Sequence, residues 1–111
     1  MPRTRDALLV KTKLFRGLAD PSRLGILEIL RDGPMNVSQV VERTGLTQPN
    51  ASMHLNCLWC CGLVERKSKG RFTYYSLNAK RKVVQLLHAA EELLKDVSDR
   101  IDECRRYEER S

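Results

Sequence analysis

Apolar residues recur with a helical period along most of this chain and with a strand period over one short stretch. Ala7, Leu8, Leu14, Phe15 and Leu18, joined by the aliphatic stem of Lys11, predict a first helix that stops before Asp20-Pro21. Asp20 can cap a second helix with proline at its first position. That helix carries Leu24, Ile26, Leu27, Ile29 and Leu30 around much of its circumference, which predicts deep burial, and it stops at Gly33-Pro34. "NVSQVVERTG" opens on Asn36, places Gln39 three residues later in a capping-box pattern, and closes a short third helix at Gly45. Thr47 can cap a fourth helix that tolerates Pro49 in its first turn, runs to about Cys61 and stops at Gly62.

From Leu63 the period changes. "LVERK", "SKGR" and "FTYYSL" predict two strands joined by a basic, glycine-containing turn. From Asn78 onward Val83, Leu87, Ala90, Leu94, Val97, Ile101 and Cys104 recur in alternating steps of four and three, the seam of a long helix that packs on another helix. On a helix projecting past a small body, such a seam points to a second copy of the chain. Two short helices joined by a tight turn, the second amphipathic and followed by a basic hairpin, make the expected fold mainly α with a small β-hairpin, a winged helix-turn-helix. One domain, residues 1–111, would end in a C-terminal dimerisation helix.

Composition adds four points. A chain of 111 residues buries only a modest core, so a partner subunit would add stability. The net charge of +6 favours a polyanionic partner, and it gains weight because cations gather at the hairpin. No apolar run approaches the roughly 20 residues of a membrane span, and "MPRTRDALLV" has no stretch of signal-peptide length, so the expected location is the cytoplasm, with no membrane partner. Two separated histidines and no paired-carboxylate or nucleophile-base motif argue against an enzyme.

With Leu55 as reference and about 100° per residue, Ala51, Leu55, Leu58 and Gly62 gather on the core side of the fourth helix. Met53, Asn56 and Cys60 point away from it, and Ser52 lies on a flank. Gln48 falls near the core side but sits in the first turn, from which it can reach outward. Hydroxyl and amide side chains suit base edges and phosphates, and the helix N-terminus offers free N–H groups. Lys67, Lys69 and Arg71 at the hairpin tip would attract phosphate regardless of sequence.

"LADPSRLGILEIL", "SMHLNCLWCCGLV" and "GRFTYYSL" resemble, in order and spacing, the signature stretches of the ArsR/SmtB family of winged-helix repressors over about residues 7 to 101. The resemblance implies a homodimer formed through the first and last helices. It also implies palindromic operator DNA bound by the apo-protein and released on effector binding. By position, Thr47, Gln48, Ser52 and His54 inherit contacts in the major groove. His54 also sits beside the core face, where packing is an equal alternative.

Four cysteines in a reducing compartment point to metal binding, redox sensing or core filling more than to disulfides. Of the effector sites in the family, a Cys-x-Cys pair on the third helix has no counterpart in "PMNVSQVV", and His88 with Glu91 supplies only half of a last-helix site. The remaining pattern resembles that of the cadmium- and lead-responsive CmtR-type repressors. Cys57 and Cys61 match two ligand positions, and Cys104 is the one candidate for the third. Independently, residues four apart share a helix face with Cβ atoms about 6 Å apart, close enough for two thiolates to share a soft ion. Cys60 is not required by the pattern and is read as an auxiliary thiol.

The expected effector is therefore Cd(II) or Pb(II), with no catalytic cofactor. Three alternatives stay open: As(III) or Sb(III) sensing with the same thiols, thiol-redox or persulfide sensing, and structural zinc in an interaction protein. Against redox chemistry, Cys57-x-x-Cys60 lies at a helix C-terminus, opposite to the placement that activates redox thiols.

Overall fold

A computed structural model describes residues 4–103. The chain divides into two compact units, one up to Lys80 and one from Arg81. The first holds four helices and a hairpin: α1 (Thr4–Leu18), α2 (Pro21–Ile29) extended by a 3-10 turn (Leu30–Asp32), α3 (Val37–Thr44), α4 (Gln48–Cys60), β1 (Val64–Lys69) and β2 (Phe72–Leu77). One long helix, α5 (Lys80–Glu103), follows. This is the expected winged helix-turn-helix.

Local capping sets most of the boundaries. The Asp20 carboxylate accepts the Arg23 N–H at 2.9 Å ahead of Pro21, so α2 starts where its first-turn donors are satisfied. Asn36 and Gln39 exchange side-chain and backbone bonds at 2.9 Å each, the capping box read from sequence. Gly45 ends α3 with φ +76°, a left-handed conformation that costs glycine little. Thr47 caps α4 by accepting the Asn50 N–H.

The core of the first unit is Ile26, Leu27, Leu30, Val40, Ala51, Leu55, Leu58 and Val64, all buried. The second helix is less deeply buried than its composition predicts: Leu24 is exposed and Ile29 half-buried. Ile26, Leu27 and Leu30 form the i, i+1, i+4 stripe that faces inward, and Leu24, two residues before Ile26, falls off it.

The hairpin is also tighter than expected. β1 and β2 pair antiparallel from Val64↔Leu77 to Lys69↔Phe72, leaving only Gly70 and Arg71 as the loop. Gly70 has φ +65°, as a two-residue hairpin loop requires. Ser68 and Lys69, read as turn, are strand residues, and Lys67 lies within β1 opposite Tyr74 instead of at the tip.

Two further attachments fix the hairpin. Met35 and Tyr75 exchange backbone bonds of 2.9 and 2.7 Å, adding a short third segment at its side. At its base, Asn78 donates its backbone N–H to the Leu63 carbonyl at 3.0 Å and its side-chain N–H to the Gly62 carbonyl at 2.8 Å.

α1 leaves Leu8, Leu9, Val10 and Phe15 exposed. In the second unit, Val83 and Leu87 are buried, whereas Leu93 and Leu94 are exposed. No helix among the described residues is long and apolar enough to cross a membrane.

Candidate DNA-reading face and thiol pair

Everything of chemical interest in the first unit is arranged around α4. Ala51, Leu55 and Leu58 hold it in the core, and the residues between them fall on two flanks. Gln48, Ser52 and Asn56 recur at steps of four on one flank and are all exposed. His54, Cys57 and Cys61 lie on the other. Met53, 53% exposed, and Cys60 point away from the core between them.

At the start of α4 the exposed Thr47 uses its hydroxyl oxygen as the cap acceptor and keeps its O–H free to donate. The first-turn backbone N–H groups near Gln48 face outward with the helix's positive pole, a setting that suits a phosphate. Asn50, outside the expected set, shares this exposed first turn.

His54 is placed differently from its neighbours. Its side chain is only 13% exposed, and Nδ1 lies 4.0 Å from the Asp20 carboxylate, buried and without a hydrogen-bond partner. The imidazole therefore packs between α4 and the start of α2 and does not project with Gln48 and Ser52. The N-cap bond from the Arg23 N–H, with the nearby Arg23 and His54 charges, holds the Asp20 carboxyl below its ordinary value of 3.8 despite partial burial.

Cys57, Cys60 and Cys61 are free and exposed. The Cys61 N–H donates to the Cys57 carbonyl at 3.0 Å, so these two residues sit one helical turn apart on one flank, as a shared soft ion would need. Cys61 still has helical backbone angles, φ −78° and ψ −8°, and Gly62 at φ +80° then turns the chain into β1. Cys104 lies outside the described residues. Among those described, no group of three His, Cys, Asp or Glu side chains is gathered for a metal. His88 lies 3.8 Å from both Glu91 and Glu92 on the exposed face of α5, in ordinary one-turn ion-pair geometry.

Lys67, Lys69 and Arg71 are all exposed. Alternation puts Lys67 and Lys69 on the outer face of the hairpin, with Arg71 in the loop. One contact between helix and hairpin escaped the sequence reading: the Arg66 guanidinium lies over the Trp59 ring, 3.6 Å from its centroid. A tryptophan on a helix flank and an arginine on the next strand were the available signal, but no spacing rule pairs them.

Residues 20–66 match the family model described as "Bacterial regulatory protein, arsR family". The chain is 37% identical over 94 residues to the "Probable mercury resistance operon repressor" of Streptomyces lividans, covering 85% of this chain and 74% of that protein. It is 46% identical over 65 residues to the HTH-type transcriptional regulator CmtR of Mycobacterium tuberculosis, covering 59% of this chain and 55% of that one. Among solved structures it resembles the homodimeric winged helix-turn-helix DNA-binding domain of a possible ArsR-family regulator from Mycobacterium bovis. There the TM-score is 0.71 at 31% identity, over 87% of this chain and 89% of that one.

Proposed function

The chain belongs to the ArsR family of bacterial regulatory proteins as a metal-responsive transcriptional repressor, and from that premise we propose that it holds operator DNA when metal-free and releases it on binding a soft, thiophilic cation, Cd(II) or Pb(II). Its relatives and fold are those of DNA-binding regulators, not of enzymes. The observation that carries the proposal is the exposed pair Cys57 and Cys61, one turn apart on the helix that also presents Gln48, Ser52 and Asn56.

In this reading residues 1–111 act as one winged domain in a cytoplasmic homodimer. The exposed apolar residues of α1 and of the later turns of α5 support a partner surface, since patches of this kind are seldom left to water. DNA is held by Thr47, Gln48, Ser52, Met53 and Asn56 from α4, with Lys67, Lys69 and Arg71 on the hairpin. His54 positions α4 from its packed site beside Asp20. The third thiolate is Cys104, and Cys60 is auxiliary. Ligation releases DNA only to the extent that the ion binds the DNA-free conformation more tightly, and a helix end drawn toward a third thiolate supplies that difference.

A second reading concerns the ion. Two thiols on one flank suffice for a two-coordinate soft cation, and the Streptomyces relative is named a mercury resistance repressor, which favours Hg(II) as the alternative effector. Arsenite and thiol oxidation use the same side chains.

The test is fluorescence anisotropy of the reduced, metal-free protein on DNA from upstream of its own gene, titrated with Cd(II), Pb(II), Hg(II), Zn(II) and arsenite, with oxidant in parallel. Cys61→Ser is expected to keep apo binding within about twofold, as an exposed substitution away from the reading flank, and to lose release altogether. Retained release would remove Cys61 from the site, and release by oxidant alone would replace the metal reading with a redox one.

A further inference from the structure

An open groove of about 330 Å³ on the hairpin is lined by Arg66, Ser68, Thr73 and Tyr75, which share the inner face, and by Lys67 of the outer face. Two cations and three hydroxyl side chains line it without a carboxylate, a donor-rich composition that suits a phosphate oxygen. Arg66 shares this face with the buried Val64, because strand residues two apart point the same way.

The Arg66 guanidinium is already oriented. Lying 3.6 Å above the Trp59 centroid, it is well inside the roughly 6 Å range of a cation–π contact. Among the described residues this is its one side-chain interaction, and no carboxylate pairs with it. A guanidinium stacked by its face keeps its in-plane N–H edges available, the geometry for bidentate phosphate contact. Trp59 is 40% exposed, and on the helical wheel it continues the flank of Gln48, Ser52 and Asn56. Along that flank the exposed side chains lead to the stacked cation, at the corner where α4 gives way to the hairpin.

We propose that Arg66, laid on Trp59, is a preset contact for a backbone phosphate of the bound duplex. Arg66 meets the phosphodiester, and Trp59 acts through it as a positioning residue. The proposal rests on the DNA-binding reading above but not on the identity of the metal.

The experiment is anisotropy of Arg66→Gln, Arg66→Lys, Trp59→Leu and Trp59→Phe across a range of salt, on a fluorescein-labelled duplex from upstream of the gene and on a scrambled duplex of equal length. Thermal melts check the fold of each variant. Arg66→Gln is expected to weaken both duplexes by the same factor, on the order of tenfold. It should also shallow the plot of log affinity against log salt by about 0.9 per protomer. Arg66→Lys should keep the slope, and Trp59→Phe should stay close to wild type. Trp59→Leu should lose affinity, yet add nothing when Arg66 is already Gln. Trp59 is the chain's one tryptophan, so its emission should change when wild type binds either duplex. An unchanged slope in Arg66→Gln, or a loss confined to the upstream duplex, overturns the proposal while leaving the DNA-binding reading intact. A wild type that binds neither duplex overturns both.

Discussion

The two flanks of α4 differ in what surrounds them. The flank of Gln48, Ser52 and Asn56 is open along its length and ends in the Trp59–Arg66 stack. The flank of His54, Cys57 and Cys61 begins with an imidazole packed against Asp20 and ends in two free thiols. One helix can carry two tasks when the residues of each recur at steps of about one turn and a shared apolar stripe, Ala51, Leu55 and Leu58, holds the helix between them. The division also separates the thiols from the polar side chains: Cys57 and Cys61 lie on the flank opposite Gln48, Ser52 and Asn56.

The largest effect belongs to the stripe that both flanks share. Leu55→Ala removes a fully buried side chain and is expected to cost about 2–5 kcal/mol. Denaturant unfolding should show the loss, with DNA and metal binding failing together. If one survived, the flanks would not depend on a common scaffold.

A smaller effect belongs to the thiol-bearing side. Asp20→Ala removes the cap of α2 and the carboxylate beside His54, at about 1 kcal/mol. Because the folded state holds the Asp20 carboxyl below 3.8, its stabilisation is complete at neutral pH and is lost as pH falls through that lowered value. The difference in melting temperature between wild type and variant should therefore be constant from neutral pH down to about pH 5 and shrink below 3.8. A difference that stayed constant through that range instead would show that the Asp20 charge plays no part in the effect.

The smallest effect belongs to the open flank. Ser52→Ala is expected to lower apo affinity roughly threefold, the value of one exposed hydrogen bond, with the metal needed for release unchanged. A shifted metal requirement would show that the two flanks are coupled through more than the helix axis.

Much of this arrangement was legible in the sequence, for a local reason. Asp20, the Asn36–Gln39 pair, Thr47, Gly45 and Gly62 mark helix ends through bonds to residues a few positions away, and the alternation in "FTYYSL" marks a strand through its own side chains. The fold follows from such signals. Bonds between Met35 and Tyr75, the seat of His54 beside Asp20, and the stack of Arg66 on Trp59 join residues of different elements, and no periodicity announces them. Leu24 and Lys67 were misplaced for a related reason. Composition says that a side chain is apolar or basic, whereas the phase of the stripe and the length of the hairpin loop decide where it ends up.

Asn78, bonded at once to the carbonyls of Gly62 and Leu63, brings the two feet of the hairpin to one point. The chain leaves the helix and returns within hydrogen-bonding distance of where it left, so the intervening strands form a loop closed at its own base. The backbone N–H and the amide side chain of Asn78, each on one carbonyl, therefore anchor the hairpin beside the end of α4 that bears the cysteines.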